Sequence, residues 1–440
     1  MRGRSGRVVV RRGVPERERR VRVRSSVARR TAEGERGTGG AAAFPVAMYH
    51  QGAGSSAARP RRMRKRGILR RTDMCFMVPF RVARGKGYCL FHGNRYHSGT
   101  KPRGGRMPYY GFNLQWIFTR DPEHPSPEPA DERALDLIGD WGFNFIRIPM
   151  DYRFWTEGFD YFHPDERVLE RIDAYIEACR NRGLHVSLNL HRAPGYCINR
   201  NDLERHNLWT DREAQDAFVF LWEGFARRYR DIPGEELSFD LLNEPPEEGQ
   251  YGFTREVHEA LMRRTVEAVR AIDPDRTIVI DGVGGGHQAM PELADLGVIH
   301  SGRGYQPMAL THYRARWWPD HEKVKERPNY PGLVWEGAAW DRETLRVFYR
   351  PWLEVAARGV TVHIGEFGCY NQVENPTALR WFEDVISLYR EWGWGYALWN
   401  FKGPFGVVEH GRPGTRYVEM GGYMVDVDLL SILREGMLRS

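Results

Sequence analysis

From Met107 onward the chain alternates between short apolar runs and longer stretches whose apolar positions recur every three to four residues. The short runs are Pro108–Leu114, Asn144–Pro149, Leu184–Leu190, Glu236–Asp240, Thr277–Ile280, Leu296–Ile299, Val360–Ile364 and Gly395–Asn400. They are rich in β-branched and aromatic residues and read as strands. The longer stretches read as amphipathic helices: Asp131–Trp141, Pro164–Arg182, Asp211–Arg230, Thr254–Ile272, Arg342–Arg358, Pro376–Trp392 and a closing segment near Asp428–Arg434. Pro164 opens one of them and Gly183 follows it, a start and a stop in the expected order. Gly282–Gly286 reads as a turn, and residues 305–340 as an aromatic excursion between strands.

Apolar strands separated by amphipathic helices imply parallel pairing with both sheet faces covered. Eight such units over about 330 residues predict one closed (β/α)₈ barrel, an α/β fold, over residues 107–440. Functional groups of that fold sit at the carboxyl ends of the strands.

The first hundred residues are different in kind. Residues 1–72 are mostly Arg, Gly, Ser and Ala, too poor in apolar surface to offset the entropy of ordering. They are expected to be disordered, within a basic extension covering residues 1–106. Charge sharpens this boundary. Residues 1–106 carry 28 Lys+Arg against 5 Asp+Glu, leaving 37 against 53 for residues 107–440. The formal +7 of the whole chain therefore averages a basic tail and an acidic body. A nucleic-acid partner would be met by the tail alone, through runs such as Arg61–Arg66. The scarcity of aromatics there favours an extension outside the working protein.

The five cysteines, Cys75, Cys89, Cys179, Cys197 and Cys369, are odd in number and form no Cys-x-x-Cys pair. Neither a disulfide framework nor a zinc site follows, and a reducing compartment is expected. No run of about 18 apolar residues is present, so no membrane partner is expected. Ala41–Met48 is too short and too far along the chain for a signal peptide. Cytoplasmic localisation is the expectation; oligomeric state is not readable.

The candidate chemistry lies at the strand ends. Leu241-Leu242-Asn243-Glu244-Pro245-Pro246 follows one strand directly, and Gly365-Glu366-Phe367-Gly368 ends another. A lone glutamate at a strand end is more often an ion-pair partner, but two in an eightfold pattern are the minimum kit for cleaving a glycosidic bond. Glu244 fits the acid, which must hold a proton near neutrality; Glu366 fits the nucleophile and the nearby anion that keeps the proton on Glu244. Arg147, Tyr305 and Asn243 are candidates to keep Glu366 ionised. Asn243 is also placed to hold a sugar 2-hydroxyl, His191 to orient Glu244, and Trp399 to stack on a pyranose ring. Gly284-Gly285-Gly286 lacks a phosphate-binding form, and no histidine pair has metal-ligand spacing, so neither metal nor organic cofactor is expected.

These residues resemble glycoside hydrolase family 5, the cellulase family of retaining (β/α)₈ glycosidases. The resemblance covers residues 107–440. It rests on Asn243-Glu244-Pro245, on Ile364–Gly368, on Gly142–Pro149, on Asn189–Gly195 and on Leu398-Trp399-Asn400. It implies the family's roles for Arg147, His191, Asn243, Glu244, Glu366 and Trp399. One position departs from the pattern: the family's His-x-Tyr after strand six is Arg303-Gly304-Tyr305 here. A fixed cation at Arg303 is expected to lower the nucleophile's pKa or to bind an anionic sugar. His312, nine residues on, is a candidate to refill the histidine's place from a loop. The function implied is hydrolysis of a β-linked glucan or oligosaccharide, endo-β-1,4-glucanase first, with β-mannanase and exo-β-glucosidase as alternatives. A non-catalytic carbohydrate-binding barrel is the alternative from another class.

Overall fold

A computed structural model describes residues 108–438 with their side chains. It also describes the backbone of one antiparallel ribbon, Met77–Arg81 with Lys86–Leu90, in a separate unit upstream. The expected disorder of residues 1–72 and the run Arg61–Arg66 lie outside the described residues.

Eight strands form a closed barrel: β1 (Tyr110–Asn113), β2 (Phe145–Asp151), β3 (His185–Arg192), β4 (Leu237–Asp240), β5 (Thr277–Asp281), β6 (Ile299–Gly304), β7 (Val362–Phe367) and β8 (Gly395–Leu398). Neighbours in sequence are neighbours in space, all parallel, and β8 closes on β1 with Tyr396 opposite Tyr110.

Much of the apolar character seen in the sequence belongs to the outward half of each strand. Ile146, Val186, Leu188, Phe239 and Ile364 join the hydrophobic core beneath the helices. The inward half is mixed: Arg147, Ser187, Ser238, Asp240, Ser301 and His363, together with Phe145, Val279 and Ile299, line a small cavity in the barrel interior. A side-chain period of two delivers both halves from one strand.

The helices cover the outside: α1 (Glu132–Asp140), α2 (Glu166–Arg180), α3 (Arg212–Tyr229), α4 (Arg255–Ile272), α5 (Arg342–Phe348), α6 (Arg350–Ala356), α7 (Asn375–Trp392) and α8 (Val427–Gly436). α3 illustrates the packing. Its Ala214, Ala217, Phe218, Leu221, Trp222 and Phe225 recur at helical spacing and are buried. The Trp222 ring lies 5.2 Å from Phe239 of β4, and its indole N–H donates to the Leu241 carbonyl at 3.1 Å. One such burial contributes on the order of 1.5–3 kcal/mol and ties the helix to the segment leading into Glu244. Side-chain caps set the starts: Asp131 accepts from the Ala134 N–H at 3.2 Å, and Thr254 from that of Val257 at 3.3 Å.

Two expectations need correction. The sixth strand is Ile299–Gly304, not Leu296–Ile299; Pro291–Leu296 is a 3₁₀ segment that Gly297 ends at φ 61°. The stretch Arg342–Arg358 is two helices, parted at Tyr349, because Pro351 stands in the first turn of α6 and has no N–H to continue the ladder. The aromatic excursion holds a hairpin, Leu333–Trp335 with Ala338–Trp340. A second hairpin, Tyr417–Met420 with Tyr423–Asp426, follows β8 and leads into α8. No helix among the described residues is long and apolar enough to cross a membrane.

Candidate active site

Every strand brings a polar side chain to its carboxyl end, and these side chains meet in one network. Asn113 comes from β1, Arg147 from β2, His191 from β3, Asp281 from β5, Arg303 from β6 and Glu366 from β7; Asn243 and Glu244 follow β4, Tyr305 follows β6 and Trp399 follows β8. Eight of the nine site residues read from the sequence converge here, Arg303 among them; His312 is the exception.

Glu366 is placed by a bulge. β7 pairs Ile364 with Gly302 of β6, then Glu366 with Arg303, so Gly365 is the extra residue. A bulge re-aims the side chain that follows it, here Glu366, which is only 3% exposed. Its Oε1 accepts from Arg147 Nη1 and lies 3.3 Å from Arg303 Nη2, while Oε2 accepts from the Tyr305 hydroxyl at 3.1 Å. Arg147 is itself fixed by Asp240 at 2.6 Å and by Asn113 at 3.0 Å.

Glu244 is held at both its backbone and its carboxyl. Its φ of 47° is in the left-handed region, a conformation that costs a residue with a Cβ about 1–2 kcal/mol. The surroundings enforce it. The Glu244 N–H donates to Asp281 Oδ2 at 3.1 Å, and its carbonyl accepts from the Tyr196 hydroxyl at 2.7 Å. The glycine-rich turn after β5 clasps the next two residues, with Gly285 and Gly284 N–H groups donating to the Pro245 and Pro246 carbonyls at 2.9 and 3.2 Å. The carboxyl accepts from Arg303 Nε at 2.8 Å and keeps 16% of its side chain exposed.

Electrostatics separate the two acids. Burial, and then the charge of Glu366, push Glu244 up to about 7, against the partly offsetting Arg303. Burial and the neighbouring Asp281 likewise push Asp240 up to about 7 despite Arg147. Two guanidinium groups thus face four carboxyls in an enclosed site. Charge balance there favours two carboxyls that hold protons, and Glu244 and Asp240 are the two displaced in that direction. Burial, with Arg147 and Arg303 nearby, holds His191 well below the usual histidine range, so its imidazole is neutral.

Asn243 Oδ1 accepts from both Arg147 Nη2 (3.0 Å) and Arg303 Nη2 (2.8 Å), which fixes the amide and turns Nδ2 toward His191 Nε2 at 3.4 Å. The His191 ring stacks on Trp399, centroids 5.5 Å apart and 19° between planes. Trp399 is half-buried, with Phe118 on its edge.

His312 and Arg303 behave differently from expectation. His312 does not refill the histidine position. It packs edge-on against Tyr305 at 5.1 Å and bonds Thr311. Arg303 is fully buried, and its three nitrogens are occupied by Glu244, Asn243, Asp281, Ser301 and Glu366. No donor is left for an anionic sugar. The sequence reading missed Asp281, Asp240 and Asn113. Asp281 was findable: Ile278-Val279-Ile280-Asp281 has the same strand-then-acid form as the segments ending in Asp240 and Glu366.

Known proteins resemble this chain in sequence and fold. The cellulase family (glycosyl hydrolase family 5) matches residues 107–403. Endoglucanase C of Acetivibrio thermocellus is 29% identical over 297 residues, 62% of this chain and 83% of that protein. A crystal structure described as a glycoside hydrolase is 60% identical with a TM-score of 0.74, covering 76% of this chain and all of the other. The endoglucanase Cel5A of Thermotoga maritima, also crystallised with mannotriose, is 25% identical with a TM-score of 0.58, covering 74% of this chain and 96% of its own. The chain belongs to glycosyl hydrolase family 5, the cellulase family, and is a glycoside hydrolase acting with retention on β-linked glucan.

Proposed function

We propose that this chain is an endo-β-1,4-glucanase in which Glu366 is the nucleophile and Glu244 the acid/base. The observation that carries the reading is the contrast between the two carboxyls. Glu366 accepts bonds from Arg147 and Tyr305 and has Arg303 beside it, whereas Glu244 is pushed up to about 7. Glu366 Oε attacks the anomeric carbon as the glycosidic C–O bond breaks, and the proton of Glu244 goes to the departing oxygen. Glu366 is then an ester and Glu244 a carboxylate. Water next attacks the same carbon, its proton returns to Glu244, and the ester bond to Glu366 breaks. Each displacement inverts the anomeric carbon, so the product retains the β configuration.

The other side chains serve the sugar. Asn243 Nδ2 has a second N–H, beyond the one turned to His191, for the 2-hydroxyl, and neutral His191 can exchange hydrogen bonds with a neighbouring hydroxyl. Trp399 offers its face to the ring being cleaved. Farther out, Trp317, 55% exposed, stands against Tyr370 at 4.9 Å and near Phe405. An aromatic ledge outside the reacting centre suits a chain that extends past it, which favours endo over exo action. The free thiols Cys179, Cys197 and Cys369 support work in a reducing compartment.

A panel of β-1,4-glucan, β-1,3-glucan, mannan, xyloglucan and aryl β-glycosides tests this. Fastest turnover on β-1,4-glucan with internal cleavage is expected, and Glu366→Gln abolishes it. Preference for mannan, or release of single terminal sugars only, would replace the assignment. Full turnover by Glu366→Gln would remove Glu366 from the nucleophile's role, and binding without turnover of any of these substrates by the unaltered chain would leave a carbohydrate-binding barrel.

A further inference from the structure

Arg303 stands where a family member has histidine, and the barrel around it is shaped to receive it. Gly286, at φ +80°, presses against its aliphatic stem, and a Cβ there would collide with Arg303 Cγ. A Cβ on Gly365 would meet Ser301 Oγ and come within 3.0 Å of Arg303 Nη1. Asp281, fully buried, receives Nη1 at 3.1 Å and also Nη2, and its second oxygen takes the backbone N–H of Glu244. One guanidinium touches both reacting carboxyls, Glu244 through Nε at 2.8 Å and Glu366 through Nη2 at 3.3 Å.

We infer that the Asp281–Arg303 pair is a positioning device that lends one fixed positive charge to Glu366 in the free enzyme and to Glu244 in the glycosyl-enzyme, and takes no part in binding sugar. This rests on the reading of Glu366 as nucleophile and Glu244 as acid/base. In the free enzyme Glu366 is the anion and Glu244 holds the proton. Once Glu366 is esterified its charge is gone, and Glu244, now a carboxylate, is bonded to the same guanidinium. The cation need not move, because its two nitrogens already face the two acids. Asp281 keeps it from being an excess charge in either state. The other charged and titratable groups near Glu244 and Arg303 are Arg147 of β2, His191 of β3, Asp240 of β4, Tyr196, His287 and Tyr305 from the loops after β3, β5 and β6, and Tyr349 between α5 and α6. None of them contacts both reacting carboxyls.

The test is the pH profile of kcat/KM on a neutral β-glucan for Arg303→Gln, Arg303→Lys and Asp281→Asn, with folding checked by circular dichroism and melting. The two charge changes act on Glu244 in opposite directions, since Arg303 lowers its proton affinity and Asp281 raises it. The alkaline limb is therefore expected to move up by about one pH unit in Arg303→Gln and down in Asp281→Asn. KM stays near wild type while kcat at neutral pH falls ~10-fold or more in Arg303→Gln, and Arg303→Lys recovers part of the loss. A merely structural role would lower activity in both variants without opposite limb shifts, and that result overturns the inference. A rise in KM with kcat intact would overturn it in favour of sugar binding. Glu366→Gln run in parallel separates the two levels: if it is inactive and the limbs stay put, only this inference fails. If it is active, the underlying assignment fails first.

Discussion

At the scale of single residues, the site is a problem in keeping one of two adjacent carboxyls protonated. Burial raises Glu244, and the anion at Glu366 adds to it. The sign for activity follows directly. Glu244 must donate in the first step, so kcat/KM is expected to fall as pH rises through about 7. Glu244→Gln removes the donor and keeps the shape. Its turnover of β-glucan should drop ~10²–10⁴-fold, whereas the first step on an aryl glycoside with an acidic phenol, whose departure needs no proton, should be little affected. Added azide, which attacks without a base, should then restore turnover and give a β-glycosyl azide by NMR. Equal loss on both substrates, with no azide product, would remove Glu244 from the acid/base role. The acids themselves were legible in the sequence because each closes a short strand-like segment and a strand-stopping Pro or Gly follows within two residues. The task of Arg303 was not. A cation reads as a ligand for an anion until its partners are known, and Asp281 and Gly286 become its partners only when the barrel closes.

At the scale of elements, two glycine positions set the geometry. The bulge at Gly365 brings Glu366 level with Arg303, and the turn at Gly284–Gly286 clasps Pro245 and Pro246 while leaving room for the Arg303 stem. Gly286→Ala would add a Cβ at positive φ against Arg303 Cγ. A cost of roughly 1–3 kcal/mol is expected from strain and overpacking, read as a lower Tm, together with reduced kcat as Arg303 is displaced. An unchanged Tm and kcat would show that the turn yields freely. Strands whose outward residues are Val, Ile, Leu or Phe were legible from the sequence. β6 was placed too early because Ile299-His300-Ser301-Gly302-Arg303-Gly304 has polar inward residues and glycines where close packing demands them. The single helix expected over Arg342–Arg358 had the right periodicity, but Pro351 divides it.

At the scale of the whole molecule, the polar groups of the barrel interior and the buried histidines decide how stability responds to pH. Seven histidines among the described residues are held below their ordinary value, chiefly by burial: His191, His258, His287, His300, His312, His363 and His410. Three of them, His258, His312 and His363, are lowered to about 3, and His287 to about 4. The unfolded chain protonates them near 6.5, so each contributes stability that is present above that pH and lost as pH falls toward the folded value. Glu244 and Asp240 act in the opposite sense. Raised to about 7, they contribute stability that is complete below their unfolded values and lost as pH rises through about 7. Seven groups against two make the histidines dominant. Calorimetry is expected to show Tm falling steadily from about pH 6.5 to about pH 4; a flat or rising Tm over that range would contradict this balance.

The assignment of Glu366 as nucleophile can be tested by capturing the intermediate. A 2-deoxy-2-fluoro β-glycoside with a good leaving group slows both steps, and the second becomes slow enough for the glycosyl-enzyme to accumulate. Mass spectrometry of the intact protein followed by peptide mapping is expected to find one sugar per chain, on the peptide carrying Glu366, with activity returning as the label is lost. A label on any other residue, or an unlabelled enzyme that releases product of inverted configuration, would contradict it.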